Sequence, residues 1–219
     1  MIRIYEPQDL PVNRNEILRY ALIKPDMPAD RIDQLLPDAL QHIHGRVCYA
    51  SFPVQLSEDG QVDLSFTKVS SRSLCHLLRS SSQCILFAAT IGIDFDRYAA
   101  RISRMSTTNG WLLHAIGTER IETLCDTFEK TLLEEGCQLT RRFSPGYGDV
   151  PLSMQRDVFR ALDCSRKIGL TLTDSLLMSP SKSVTAIIGL TNTPLRQSDH
   201  CASCSLASCA FRSISHEKE

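Results

Sequence analysis

Long apolar runs are missing from this chain of 219 residues. The longest, Cys84 to Ile91 and Val184 to Leu190, are too short to cross a bilayer as a helix. The opening Met1-Ile-Arg-Ile-Tyr-Glu-Pro7 is polar and offers no signal-peptide core, so the expected location is the cytoplasm. Charge of one sign is missing as well. The net charge is −1, and nothing draws the whole molecule toward nucleic acid or an anionic membrane. Catalytic signatures are equally scarce. The six histidines form no Ser/His/Asp or HExxH arrangement, and no Walker sequence is present. Gly146-Tyr-Gly148 fails as a dinucleotide loop, because Pro151 stands where the third glycine should fall and no acidic ribose partner is evident. Hydrophobic content of 42% and charged content of 22% are ordinary for a globular protein.

Cysteine, by contrast, is abundant, with nine in all. Cys48, Cys75, Cys84, Cys125, Cys137 and Cys164 are scattered, mostly among apolar residues where a thiol acts as a small hydrophobe. The odd total argues against a secreted disulfide framework. Cys201, Cys204 and Cys209 are a cluster with ligand-like spacing: the first pair can clamp one metal ion, and the third thiolate reaches back across a short loop. Zinc and an iron–sulfur cluster are both allowed. His200 is awkwardly placed as a fourth ligand, and a plain Ser/Ala/Cys tail is the alternative.

The pattern along the chain is helical first, then mixed. Residues 1–45 read as a helical N-terminal segment. Asn13 caps one helix with Glu16 as a capping-box partner, Pro25 and Pro28 break it, and a second runs from Asp30 to His44 with Gly45 as its stop. From 46 to 69 the period becomes two, with an Asp59-Gly60 turn, which predicts a β-hairpin. A short helix at Ser71–Arg79 and a buried strand at Gln83–Ile91 follow. Phe95 to Glu135 is helical, interrupted by Gly110 and Gly117 and ended by Gly136. Then come a strand at Gln138–Phe143, a Gly-rich loop, a helix near Ser153–Leu162, and strands near Leu170–Met178 and Ser183–Leu190. Blocks of strands and helices without strict alternation predict an α+β fold with a twisted, mainly antiparallel sheet flanked by helices. The core spans 46–192, and 193–219 reads as a polar, Cys-rich tail.

The richest segment is Arg142-Phe-Ser-Pro-Gly-Tyr-Gly-Asp-Val-Pro151. An arginine beside a turn can grip a carboxylate through two parallel charge-assisted bonds. Gly146 and Gly148 let backbone approach a ligand, Tyr147 offers a ring face and a hydroxyl, and Pro145 and Pro151 stiffen the loop. Such a loop suits an amphoteric nucleoside. The same residue types also make an ordinary surface turn.

Residues 10–190, and most specifically 142–189, resemble the activation, or reactivation, domain of cobalamin-dependent methionine synthase, in its short free-standing bacterial form. The resemblance rests on Arg142-x-x-x-Gly146-Tyr147, Gly-Tyr-Gly-Asp-x-Pro151, Ile168-Gly-Leu-Thr-Leu-Thr-Asp-Ser-Leu-Leu-Met178, Ser179-Pro-Ser-Lys-Ser-Val184 and the upstream Val12-Asn-Arg-Asn-Glu-Ile-Leu-Arg-Tyr20. It implies an S-adenosylmethionine (AdoMet) site at Arg142, Ser144, Pro145, Gly146 and Tyr147, with Ser181, Lys182 and Ser183 nearby. Two departures stand out. The long enzymes set an acidic residue of an N-terminal helix on the ligand ammonium, and that motif has no counterpart here. Glu122 and Asp126 are substitutes, or simply a solvated helix face. Lys182 replaces a small residue.

The implied reaction is reductive methylation, in which cob(II)alamin takes one electron, and a methyl group from AdoMet, to give methylcob(III)alamin. No proton moves, so no general acid or base is required. The chain has no room for homocysteine, folate and cobalamin modules. As a methyltransferase-type component it would act only with a separate corrinoid-binding protein or split methionine synthase subunits, and with a low-potential donor such as flavodoxin or ferredoxin. The need for an electron makes an iron–sulfur cluster at Cys201, Cys204 and Cys209 attractive. The competing expectation is a non-catalytic interaction or electron-transfer subunit of such a system.

Overall fold

Asn13 ties the start of the chain to the long helix that holds Glu119. The protein is seen here as a computed structural model describing residues 1–23, 30–134 and 138–191. Pro25, Pro28, Gly136, Cys137 and the tail with Cys201, Cys204 and Cys209 lie outside the described residues. After a three-residue strand β1 (Arg3–Tyr5), the Asn13 side chain accepts from the Glu16 amide at 3.2 Å and starts α1 (Arg14–Tyr20). The other half of the expected capping box is absent. The Asn13 amide donates instead to Glu119 at 2.9 Å, more than a hundred residues away. α2 (Asp30–Gln41) follows, with Pro37 inside it and Ile32, Leu35 and Ala39 buried.

The middle of the chain builds the main sheet. β2 (Arg46–Pro53), a small unit of β3 (Gln55–Leu56), β4 (Gln61–Asp63) and β5 (Lys68–Ser70), α3 (Arg72–Leu78), and β6 (Ser81–Thr90) come in turn. The Asp59-Gly60 turn exists, but it joins β3 to β4, not β2 to β4. β2 pairs along its whole length with β6, because it has buried residues on both faces and belongs inside a sheet. Two long helices come next, α4 (Ile93–Met105) and α5 (Thr107–Glu134). The break falls at Ser106, whose extended backbone and side chain cap α5, and neither Gly110 nor Gly117 interrupts the helix. Gly117 has a packing reason: a Cβ there would sit 2.4 Å from the Phe95 ring of α4.

β7 (Gln138–Leu139) covers only the start of the expected strand, and Phe143 rejoins the sheet as an isolated bridge to Ile187. A 3₁₀ turn at Leu152–Met154 leads into α6 (Gln155–Leu162) and α7 (Cys164–Ile168). The strand expected at Leu170–Met178 is a hairpin of β8 (Thr171–Leu172) and β9 (Met178–Ser179), turned by Leu176 at φ 65°. β10 (Ser183–Thr191) closes the main sheet in the order β1-β2-β6-β10-β7, each neighbour antiparallel.

Strand alternation divides the core into two layers. Ile85, Phe87 and Ala89 of β6 face α1, α2, α4 and α5, where Phe128 is fully buried among the Tyr5, Tyr49 and Phe87 rings. Cys84, Leu86 and Ala88 face α3, α6, α7 and the small sheet. Fully burying side chains of this size contributes roughly 1.5–3 kcal/mol each. Among the described residues no helix is long and apolar enough to cross a membrane.

Candidate functional site

The chain leaves β7 after two residues and takes its own path. Thr140 still holds Gly189 through paired bonds of 2.9 and 2.8 Å, and Phe143 bridges Ile187, but the loop then swings away from β10. The opening left beside the first residues of β10 is a cleft of about 550 Å³, lined by Ser73, Glu122, Arg141, Arg142, Phe143, Ser144, Tyr147, Gly148 and Val184. That volume falls within the usual range for small-molecule sites. The walls come from both layers, α5 on one side and α3 on the other.

The loop itself is tightly turned. Tyr147 donates to the Ser144 carbonyl at 3.2 Å, Val150 to Tyr147 at 3.1 Å, and Gly146 to Val150 at 3.1 Å. Gly146 and Gly148 have φ of 92° and 57°, which favour glycine. A Cβ on Gly148 would lie 2.8 Å from Ser73 Oγ. Pro145 is buried, whereas the Tyr147 ring is 65% exposed and free to meet a ligand face.

Arg142 is the electrostatic centre. Its Nη2 donates to Glu122 at 3.1 Å, while Nη1 lies 2.8 Å from Asp126 and 2.9 Å from Glu129. These three acids sit at i, i+4 and i+7 along α5, one face of the helix. Nη1 and Glu129 Oε1 are buried and lack an aligned hydrogen-bond partner. Burial pulls the guanidinium pKa down, but Cys125 and the three carboxylates more than offset it, so Arg142 stays charged. Burial also raises the carboxyl groups of Glu122 and Glu129, with Arg142 restraining both shifts. Of the three acids only Glu122 lines the cleft itself, and Arg141 adds a second cation to that lining.

The expected site residues divide into two groups. Arg142, Ser144 and Tyr147 line the cleft together, with Pro145 and Gly146 shaping the turn behind them. Ser181, Lys182 and Ser183 do not line it; their successor Val184 does. Ser181 donates to Asp96 of α4 through its amide at 2.6 Å and its hydroxyl at 2.9 Å, and Ser183 donates to the Pro180 carbonyl at 2.8 Å. Lys182 Nζ donates to Thr118 at 2.8 Å, and burial holds its pKa down at about 8 despite nearby Asp96. Glu122 and Asp126 both pair with Arg142; Asp126 is an exposed residue of the helix face, and Glu122 lines the cleft. Sequence reasoning missed Glu129, whose spacing from Glu122 was a usable signal, and Ser73, for which the sequence carried none. No group of three or more His, Cys, Asp or Glu among the described residues is arranged to hold a metal ion.

Comparison with known proteins bears directly on this cleft. Residues 125–194 match the family model described as "Vitamin B12 dependent methionine synthase, activation domain". The resemblance read from the sequence is to that activation domain. The match contains the whole Arg142–Pro151 loop and β10, and most of the cleft wall with them. A crystal structure of the MetH reactivation domain bound to AdoHcy has the same fold, with a TM-score of 0.59 at 15% identity, covering 90% of this chain and 80% of that one. No curated protein sequence matches the chain. The activation-domain match begins at Cys125, so Ser73 and Glu122 enter the cleft from outside it.

Proposed function

We propose that this protein binds AdoMet in the Arg142 cleft and serves as a reactivation component for a separate corrinoid protein. The observation that carries the reading is the placement of the Arg142–Tyr147 loop in one cleft, with the Arg142 guanidinium and the Glu122 carboxylate paired in its lining. AdoMet carries one carboxylate, one ammonium and one sulfonium. Arg142 suits the first, and Glu122, the acid in the cleft lining, suits a cationic group. Tyr147 and Phe143 offer apolar contact for the nucleoside, and a backbone free of side chains at Gly148 allows close approach. The solved reactivation domain that shares this fold was crystallised with AdoHcy, the demethylated product.

In this role the chain's own task is binding and orientation. Cob(II)alamin, held by a partner, gains one electron and the AdoMet methyl group; methylcob(III)alamin and AdoHcy are the products, and flavodoxin or a ferredoxin supplies the electron. Cys201, Cys204 and Cys209 complete the proposal as a zinc or iron–sulfur site. Metal analysis of anaerobically purified protein tests that part.

The engagement of Arg142 by three acids also favours a second reading, an interaction subunit that has lost AdoMet turnover. Calorimetric titration of the full chain with AdoMet separates the two from a plain surface turn. Saturable one-to-one binding supports the site, and methyl transfer to a reduced corrinoid protein supports the reactivation role. Absence of binding by folded protein overturns the AdoMet assignment.

A further inference from the structure

Asp149 follows the cleft residues Tyr147 and Gly148 directly, and its carboxylate reaches across to α3. It collects the first turn of α3. Oδ1 accepts from the Ser71 hydroxyl in a short contact and from the Ser73 amide at 3.2 Å, and Oδ2 accepts from the Arg72 amide at 2.7 Å. Ser71 in turn accepts from the Leu74 amide at 3.0 Å, so one carboxylate and one hydroxyl satisfy the opening amides of the helix. The Ser71 hydrogen bond leads the forces that hold the Asp149 carboxyl down at about 2, so the clamp stays charged across the physiological range.

This clamp joins two parts of the cleft that the chain itself keeps far apart. Ser73 lines the cleft from α3; Tyr147 and Gly148 line it from the loop. Gly148 lies so close to Ser73 that a methyl group would not fit between them. The loop's internal hydrogen bonds fix its curl, but only Asp149 among its side chains is seen tying the curl to α3 by hydrogen bonds.

We propose that Asp149 is a positioning residue for the ligand: by clamping the loop to α3 it sets the distance between Tyr147 and the Ser73 wall. The proposal rests on the AdoMet reading of the cleft. Asp149→Ala removes the clamp. Asp149→Asn keeps the shape but turns a donor toward the Arg72 amide, and Ser71→Ala removes one bond while leaving Asp149 in place.

The test is calorimetric titration of the full-length wild type and these three variants with AdoMet, alongside their melting temperatures. The expected result is an affinity loss of about tenfold or more for Asp149→Asn and Asp149→Ala, the scale of one charge-assisted hydrogen bond, and a smaller loss for Ser71→Ala. A double-mutant cycle with Tyr147→Ala separates positioning from general stability. If Asp149 acts through Tyr147, removing that ring costs less affinity in the Asp149→Asn background than in the wild type. If Asp149→Ala does not fold, Asp149→Asn and Ser71→Ala decide the matter. Wild-type affinity in both, or strict additivity with Tyr147→Ala, overturns the positioning role while leaving the AdoMet site standing. No binding by the wild type overturns the site, and the positioning role with it.

Discussion

Arg142 Nη1 lies 2.9 Å from Glu129 Oε1, yet neither atom has an aligned hydrogen-bond partner. The contact is an ion pair held by charge, inside a set of three acids that the same guanidinium must balance. Arg142→Ala is therefore more than a ligand-site variant, because it leaves Glu122, Asp126 and Glu129 facing one another on one helix face. It should lose about 1–3 kcal/mol of stability at neutral pH, less than a fully buried pair would, since the arginine is partly exposed. Glu122 and Glu129 already have raised pKa values, and without Arg142 they rise further. The folded variant then holds protons that the unfolded chain has lost, so its deficit shrinks as pH falls toward 5. Urea unfolding at two pH values checks this, and an equal deficit at both would contradict it.

Lys182 supplies a pH signature of the opposite kind. Burial lowers its pKa from 10.5 to about 8, and the Thr118 hydroxyl only accepts a hydrogen bond without adding a countercharge. Between about 8 and 10.5 the unfolded chain binds more protons than the folded one. Stability should therefore rise with pH across that window through this group. Lys182→Met should flatten that contribution and raise stability at pH 7. Denaturation curves from pH 7 to 10.5 measure it.

Gly148→Ala meets two obstacles at once. The backbone is left-handed at φ 57°, and the new methyl would press on Ser73 Oγ at 2.8 Å. A cost of about 1–2 kcal/mol comes from the conformation alone. Ser73→Gly in the same chain should relieve the clash but not the conformational cost. Melting temperatures of the single and double variants separate the two contributions.

Among the described residues Glu119 and Arg120 form the most deeply buried ion pair, each side chain 1% exposed. Arg120 also donates to the carbonyls of Leu10 at 2.8 Å and Pro11 at 2.6 Å, and Glu119 accepts from Asn13 at 2.9 Å. Removing one partner, as in Arg120→Leu, should cost about 3–5 kcal/mol, because a charge is left buried alone. Faster amide exchange at Asn13 is expected with it. Glu119→Gln combined with Arg120→Met should recover part of the loss in urea unfolding.

The parts of the fold legible in the sequence are those whose signal is local. Cys84–Ile91 is apolar except for Thr90 and reads as an interior strand, and the Trp111–Leu132 stripe repeats at helical spacing. The hairpin failed because the alternation at Val47–Phe52 looks the same whether the partner is eight residues away or thirty. β1 has three residues, too few to show a period. Gly110 and Gly117 looked like breaks since glycine weakens a helix by about 1 kcal/mol; the Phe95 contact that makes Gly117 useful is invisible without coordinates. In the cleft, Arg142, Ser144 and Tyr147 were carried by a motif. Ser73 came from a distant helix whose only announcement was an ordinary Ser71 cap, and the purpose of Asp149 emerged only from what it touches.

The cleft occupies the one place where the loop crosses from the α5 side of the main sheet to the α6 side. A molecule lodged there touches both halves of the core at once and works as a rivet between them. Occupancy should then be felt as mechanical strength across the whole body, not as local order alone. Conversely, a cavity opened far from Arg142, on either side of the sheet, should loosen the rivet's seat.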